Sequence, residues 1–590
     1  MRRWKAFSLT MVLGLVVAAC GGGPATSESA EPASSDEVPP AASVEPSSGP
    51  WEALAYPEEP AECSSEGDAE HAPYIGEFSQ IRAVDEHTVE FELCFPDVAF
   101  LSKIAFSSFA IHDTASLEND MENHRVLARP NGTGPYMISE WIRGDRIIMQ
   151  ANPNYWGDAP IAQTLVFRWS VEAAQRLVEL QSGQIDGMDN VGATDFETVE
   201  GDANLQLLER EGLNTFYVGF NNNPQIDGFD NSTNPFANEE VRQAIAMGID
   251  RQRIVDEFMP RGSVVATHFT PCAIEFACVG DEWYEFDAEA AQQMLADAGY
   301  PDGFETNLYL RDVVRGYLPE PTVVAQEIVD QLEQNLGITA SIVVQESGTF
   351  IDNADAGLLD GIHLLGWGAD YPDQTNFLDY HFGGGASAQF GDKFDDVVEP
   401  LQVGASSPDA ADREAAYTEA NNAIRQHVPM VPISHAGSAT AYLADVTEAQ
   451  ASPLTNEQFS VMDPGGRDEF VWMQNAEPIG LYCADESDGE SLRACDQVQE
   501  GLYAYEINGT APIPALAEEC SPNEDGTLWT CNLRQGVTFH NGQAFDANDV
   551  VLSYAVQWDV EHPLHIGRDG SFTYFSALFG GFLNAPPPEE

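Results

Sequence analysis

Between Asn238 and Val344 amphipathic helical runs alternate with β-rich ones, and this alternation restricts the fold more than any other feature of the chain. Asn238 can cap a helix in which Val241, Ala244, Ile245, Gly248 and Ile249 share one face. Asp287 caps a second, with Ala291, Met294, Leu295 and Ala298 inward and Gly299 and Pro301 as its stop. A third, from about 322 to 336, carries Val324, Ile328 and Leu332, ends near Gly337 and leads into the β-rich run Ile338 to Val344. Helix and strand in such short alternation specify α/β domains rather than a bundle or a sandwich. At 590 residues the chain has room for three or four of them, and a hydrophobic content of 43% can fill their cores.

The surface is acidic. Asp and Glu number 96 against 25 Lys and Arg, a formal net charge of -71, and the only lysines are Lys5, Lys103 and Lys393. Such a surface repels phosphate backbones, which argues against a nucleic-acid partner. It reads as a solvated, mutually repulsive coat suited to a salty habitat, or as a field that steers cationic ligands.

The N-terminus reads as an export signal. Arg2, Arg3 and Lys5 precede the mostly apolar run Ala6 to Val17, which ends in Val17-Ala18-Ala19-Cys20. Small residues ahead of a Cys resemble a bacterial lipobox, so residues 1–19 are expected to be removed and Cys20 lipidated, anchoring the protein outside the cytoplasm. Residues 20–60, rich in Ser, Pro, Glu and Ala, read as a disordered tether. The other eight cysteines fit an oxidising compartment. Eight cysteines allow 105 connectivities and the sequence does not choose among them; pairing nearest neighbours gives Cys63–Cys94, Cys272–Cys278, Cys483–Cys495 and Cys520–Cys531, the last closing a hairpin turned by Asp525-Gly526.

A series of motifs then carries a family resemblance. Gly132-Thr133-Gly134-Pro135-Tyr136 is followed by Asn152-Pro153-Asn154-Tyr155-Trp156, Gly183-Gln184-Ile185-Asp186 and Val241-Arg242-Gln243-Ala244-Ile245. Ala298-Gly299-Tyr300-Pro301-Asp302-Gly303-Phe304 and Gly366-Trp367-Gly368-Ala369-Asp370-Tyr371-Pro372-Asp373 complete it. The ordered set resembles the extracellular solute-binding proteins of family 5, the binding components of peptide- and nickel-type ABC importers. The segments that open that family stand here at the other end of the chain: Glu500-Gly501-Leu502, Pro514 to Glu518, Leu533 to Gly542 and Asp549 to Ser553. The chain therefore reads as a circular permutant, with residues near 580 expected beside residues near 75.

The resemblance implies an α/β, two-lobed periplasmic-binding-protein-like fold (type II, large cluster C) with an extra small domain. On this chain lobe one would hold 61–219 plus 436–585, the small domain 61–134 plus 511–585, and lobe two 220–435, closing on ligand by a hinge. It implies a monomeric extracytoplasmic binding lipoprotein that delivers small peptides to an ABC permease and ATPase, with no cofactor. Trp367, Asp370 and Tyr371 match a segment whose Asp pairs with a peptide's α-amino group. Arg315 and Tyr317 resemble a pair that meets the ligand carboxylate, and the loop of Ser487 and Asp488 one that approaches the ligand. Asp485 to Gly489 also reads as a solvated loop or, more remotely, a calcium loop. His540 and His363 read as structural. Oligosaccharide or metal-chelate binding, and a sensory or catalytic use of the fold, remain open alternatives. No H-E-x-x-H, G-x-S-x-G or Walker A loop occurs, so the chain is not read as an enzyme.

Overall fold

The structure, a computed structural model, describes residues 51–63, 74, 76–192, 194–226, 234–311 and 315–585. The leader, Cys20 and the spacer up to residue 50 lie outside the described residues.

The three expected helices are Glu239–Gly248, Ala288–Asp297 and Pro321–Leu336. Asn238 accepts the N–H of Glu240 at 3.0 Å and Asp287 that of Ala290 at 3.0 Å, satisfying amides that have no partner inside the helix. Gly337, at φ 68°, ends the third helix in the left-handed region that glycine enters without strain. These helices pack Val241, Ala244, Ile245, Leu295, Ile328 and Leu332 into one core against a six-stranded sheet. That sheet runs Val264–Val265, Met430–His435, Asn214–Phe220, Ile362–Gly368, Glu305–Arg311, Thr339–Gln345 and forms the second lobe.

The first lobe contains a seven-stranded sheet ordered Tyr136–Ile142, Arg146–Ala151, Thr164–Trp169, Glu469–Gln474, Gly187–Met188, Ser438–Leu443, Leu205–Arg210. Two connections join the lobes: Leu205–Arg210 runs on into Asn214–Phe220, and Met430–His435 into Ser438–Leu443. The Asn214 side chain clips the crossings together, donating to the Ala436 carbonyl at 2.8 Å and accepting its N–H at 2.9 Å. A Cβ at Gly212 would lie 2.0 Å from the Ala436 oxygen, so only glycine lets the crossings approach this closely.

A five-stranded antiparallel sheet completes the first lobe, in the order Ala55–Tyr56, Phe78–Asp85, Thr88–Leu93, Leu528–Leu533, Ala517–Pro522. Three strands come from the beginning of the chain and two from its end. The helix Ala547–Trp558, capped reciprocally by Asp546 and Asp549, shares this sheet's core with Phe78, Phe91, Tyr554 and Trp558. Each such large apolar side chain contributes about 1.5–3 kcal/mol on burial. The Glu77 N–H donates to the Phe579 carbonyl at 2.8 Å and the Phe78 and Phe579 rings lie 4.5 Å apart, so residues near 75 and 580 are neighbours. Residues 51–60, expected as the end of the tether 20–60, are instead packed on the fold. Ala55 and Tyr56 form an edge strand, Trp51 donates to Asp546 at 3.1 Å, and Trp51, Leu54 and Tyr56 pack on the core, because their apolar area is better buried than solvated.

All four expected disulfides are formed: Cys63–Cys94, Cys272–Cys278, Cys483–Cys495 and Cys520–Cys531. Cys520 stands directly opposite Cys531 in the antiparallel hairpin, with Gly526 at φ 74° in its turn.

The motifs meet around one buried carboxylate. Glu500 accepts from Thr133 Oγ1 at 2.7 Å, Tyr155 Oη at 2.8 Å and Trp156 Nε1 at 2.8 Å. His540 lies on the same knot, its N–H on the Gly132 carbonyl at 2.9 Å and its Nε2 3.0 Å from that of Gly134. Residues 367 and 406 positions apart are thus held in one polar cluster.

Candidate functional site

The strand Ile362–Gly368 brings Trp367 to the cleft edge of the second lobe, and a single π turn, Thr375–Asp379, sets Asn376 against it. Asn376 Oδ1 accepts from Trp367 Nε1 at 3.2 Å and from the Asp370 N–H at 2.9 Å, while its Nδ2 donates to Asp370 Oδ2 at 3.1 Å. The outer face of Trp367 is stacked on Tyr380, ring centroids 4.1 Å apart. Asp370 is therefore held in one orientation with part of its accepting capacity open to the cleft. Burial raises its pKa, opposed by the Asn376 hydrogen bond.

A cavity of about 200 Å³ lies in front of it. Gly368, Ala369 and Asp370 line it from the second lobe, and Phe106, Ser107, Gly489, Leu492, Arg493, Asp496 and Tyr505 from the first. Leu213, beside the hinge, and the loop Pro453 to Asn456 close its remaining sides. Tyr574 connects the walls electrostatically. Burial pushes its hydroxyl up to about 12, and Asp370 from one lobe and Asp488 from the other add to the shift. Beneath the cavity Arg210 and Arg493 each bridge Asp189 and Glu457, in a buried tetrad joining the hinge to the cavity wall. Burial alone would raise the Asp189 carboxyl, but Arg493 and Arg210 outweigh it and hold it well below the usual carboxylate range.

The structure gathers some of the expected site residues and separates others. Asp370 lines the cavity and Trp367 supports it. Asp488 approaches from the facing wall, capping the helix Gly489–Cys495 by accepting the Ser491 N–H at 2.9 Å, while Ser487 is exposed beside it. Tyr371 is turned away from the cavity. At 9% exposed it packs in the first lobe's core, its hydroxyl on Thr375 at 3.0 Å and its ring 5.6 Å from Lys103 Nζ. The chain leaves its strand at Gly368, and the alternation that would have carried Tyr371 to the ligand face ends there. Arg315 and Tyr317 sit on a turn following the neighbouring strand Glu305–Arg311 and are not among the cavity's lining residues. Tyr317 lays its ring on Gly366 and accepts from Arg311 at 3.2 Å.

Asp485 is a loop anchor. It accepts from the amides of Arg568, Asp569, Gly570 and Phe572 and from the Ser571 hydroxyl. His363 is a buried sheet residue with Nε2 3.0 Å from Gln389 Nε2, and burial lowers its pKa to about 3. His268 gathers with Cys272 and Cys278 within 4.8 Å, but those sulfurs are joined to each other, which removes the thiolates a metal would need. Sequence reasoning missed Asn376, Asp496 and Tyr574.

The family model described as Bacterial extracellular solute-binding proteins, family 5 Middle, matches residues 48–389 and 511–569, about two-thirds of the chain. The chain belongs to this family. Family 5 members bind solutes without transforming them, and this chain is a binding protein, not an enzyme. Heme-binding protein A of Haemophilus influenzae is 26% identical over 60% of this chain, which spans 64% of that relative's length. Di/tripeptide-binding protein 1 of Pseudomonas aeruginosa is 27% identical over 66% of this chain and 71% of its own. Among solved structures, HbpA2 from Haemophilus parasuis is 26% identical with a TM-score of 0.58, over 63% of this chain and 72% of that one. The two-lobed type II fold is that of these family 5 proteins. No helix of the described residues is long and apolar enough to cross a membrane.

Proposed function

We propose that the chain is the binding lipoprotein of an ABC importer and captures small peptides between its lobes. The observation that carries this reading is Asp370: an oriented carboxylate, raised by burial, at the wall of the inter-lobe cavity. A peptide's α-ammonium placed there gains a charge-assisted hydrogen bond of about 1.5–3 kcal/mol and relieves a carboxylate that closure desolvates. Trp367 stiffens that wall. Arg315 and Tyr317, one strand away on the second lobe, would meet the carboxylate end of a ligand extending out of the cavity, and Ser487 and Asp488 would frame its first residue. The di/tripeptide-binding relative supports a peptide over a sugar.

Cys20 would carry the lipid that anchors the protein to the cell membrane outside the cytoplasm, at the cell surface or in the periplasm, with permease and ATPase as partners. We further infer that the chain is a circular permutant of the family, since its first three and last two strands build one sheet. Native mass spectrometry on protein extracted from its own membranes tests the whole reading. Expected are a single chain beginning at lipidated Cys20 and ending beyond Asn584, and released ligands that fragment as peptides of a few residues. A hexose ladder, a porphyrin or a metal chelate in the released fraction would overturn the peptide assignment. An unlipidated chain, or one whose digest lacks the peptides linking Gln474 to Glu500, would overturn the anchor or the permutation.

A further inference from the structure

The inter-lobe cavity holds more acid than one ammonium needs. Asp370 enters it from the second lobe and Asp496 from the first. Asp496 follows the helix Gly489–Cys495, its N–H on the Leu492 carbonyl at 3.0 Å, and its carboxylate takes a hydrogen bond from Ser107, another lining residue. Burial pushes this carboxyl up to about 7, and Glu457 adds to that, although Ser107 and Arg493 oppose the shift.

Arg493 is the only cationic side chain among the described lining residues, and its charge is matched inside the protein. Its Nη2 meets Asp189 at 2.8 Å, and its Nε meets Glu457 at 2.8 Å and the Thr455 carbonyl at 3.0 Å. Asp189 and Glu457 also hold Arg210, so two guanidiniums face two carboxylates and the tetrad is neutral. Asp370 and Asp496 are then left as two carboxylates lining one cavity, with no cation of the protein assigned to either. A carboxylate withdrawn from water without a counter-charge is costly, and the ligand is what enters that space.

Resting on the peptide reading above, we propose that the preferred ligand brings two positive charges: its α-ammonium to Asp370, and a side-chain ammonium or guanidinium to Asp496. The substrate class is short peptides bearing a basic residue, and Asp496 is the residue that selects them.

The test is calorimetric titration of the ligand-free, full-length protein with two pairs of probes. Lysyl-alanine is set against norleucyl-alanine, which has the same chain without the charge, and 1,5-diaminopentane against pentylamine. At about pH 8, where Asp496 is ionised, lysyl-alanine should bind about tenfold or more tighter than norleucyl-alanine. In Asp496→Asn the preference should fall to about twofold or less, with the circular dichroism spectrum and a cooperative urea transition reporting that the variant is folded. A wild-type preference below about twofold, which needs no variant, overturns the proposal, as does a tenfold preference that survives Asp496→Asn. Preference for the diamine with neither dipeptide bound would retire the peptide reading and uphold the two-charge assignment. Indifference across both pairs would overturn the assignment whichever ligand class the cavity takes.

Discussion

Asp370 and Asp496 share a cavity and differ in how far the sequence discloses them. Asp370 stands within Gly366 to Asp373, where a Trp and a Tyr flank it, so the sequence singles it out before any coordinates. Asp496 is one of 96 acidic residues at no diagnostic spacing, and its meaning comes from meeting Ser107, 389 positions away in the chain. Tyr371 shows the opposite failure: adjacency to Asp370 suggested a ligand contact, and the chain's exit from its strand sends the ring into the core. The Asp496 carboxyl lies at about 7 when folded, against about 3.9 for an unfolded Asp, so the folded state binds more protons between these values. Its contribution is fully present below the unfolded value and is lost as pH rises toward 7. Urea unfolding of the ligand-free protein should therefore show wild type losing more stability than Asp496→Asn between pH 5 and 8, with Glu486, also raised to about 7 by burial, common to both proteins. Parallel losses in the two proteins would show that Asp496 is not held in the folded state as described.

At the scale of elements, the helices Glu239–Gly248, Ala288–Asp297 and Pro321–Leu336 and the hairpin closed by Cys520–Cys531 were readable because each rests on local signals: a capping side chain, a helical repeat, an Asp-Gly turn. The hinge was not, since it depends on Asn214 meeting Ala436 across 222 residues and on Gly212 having no Cβ to obstruct the approach. The tetrad under the cavity joins four separate segments and was equally invisible. Arg210 and Arg493 are each 2–3% exposed, so removing either leaves two buried carboxylates sharing a single guanidinium. Arg210→Met should cost about 3–5 kcal/mol in urea unfolding and loosen the hinge end of the cavity. A cost below about 1 kcal/mol would mean that the network is not closed as the structure has it.

Among the described residues, two lobes joined by two crossings flank the cavity lined by Asp370 and Asp496, an arrangement that a hinge closure onto ligand would use. The family motifs, scattered from Gly132 to His540, were readable as a series, and the structure brings several of them together: Thr133, Tyr155, Trp156 and Glu500 form one hydrogen-bonded knot. The charge of -71 fits a cleft whose lining favours cations. The central claim is that the ammonium of a short peptide is held at Asp370, and titration of wild type and Asp370→Asn with alanyl-alanine and lysyl-alanine tests it most directly. The account predicts binding to wild type and a loss of about tenfold to a hundredfold in Asp370→Asn, with an unchanged unfolding midpoint. Equal affinity in the two proteins, or no binding of either dipeptide to wild type, would contradict it.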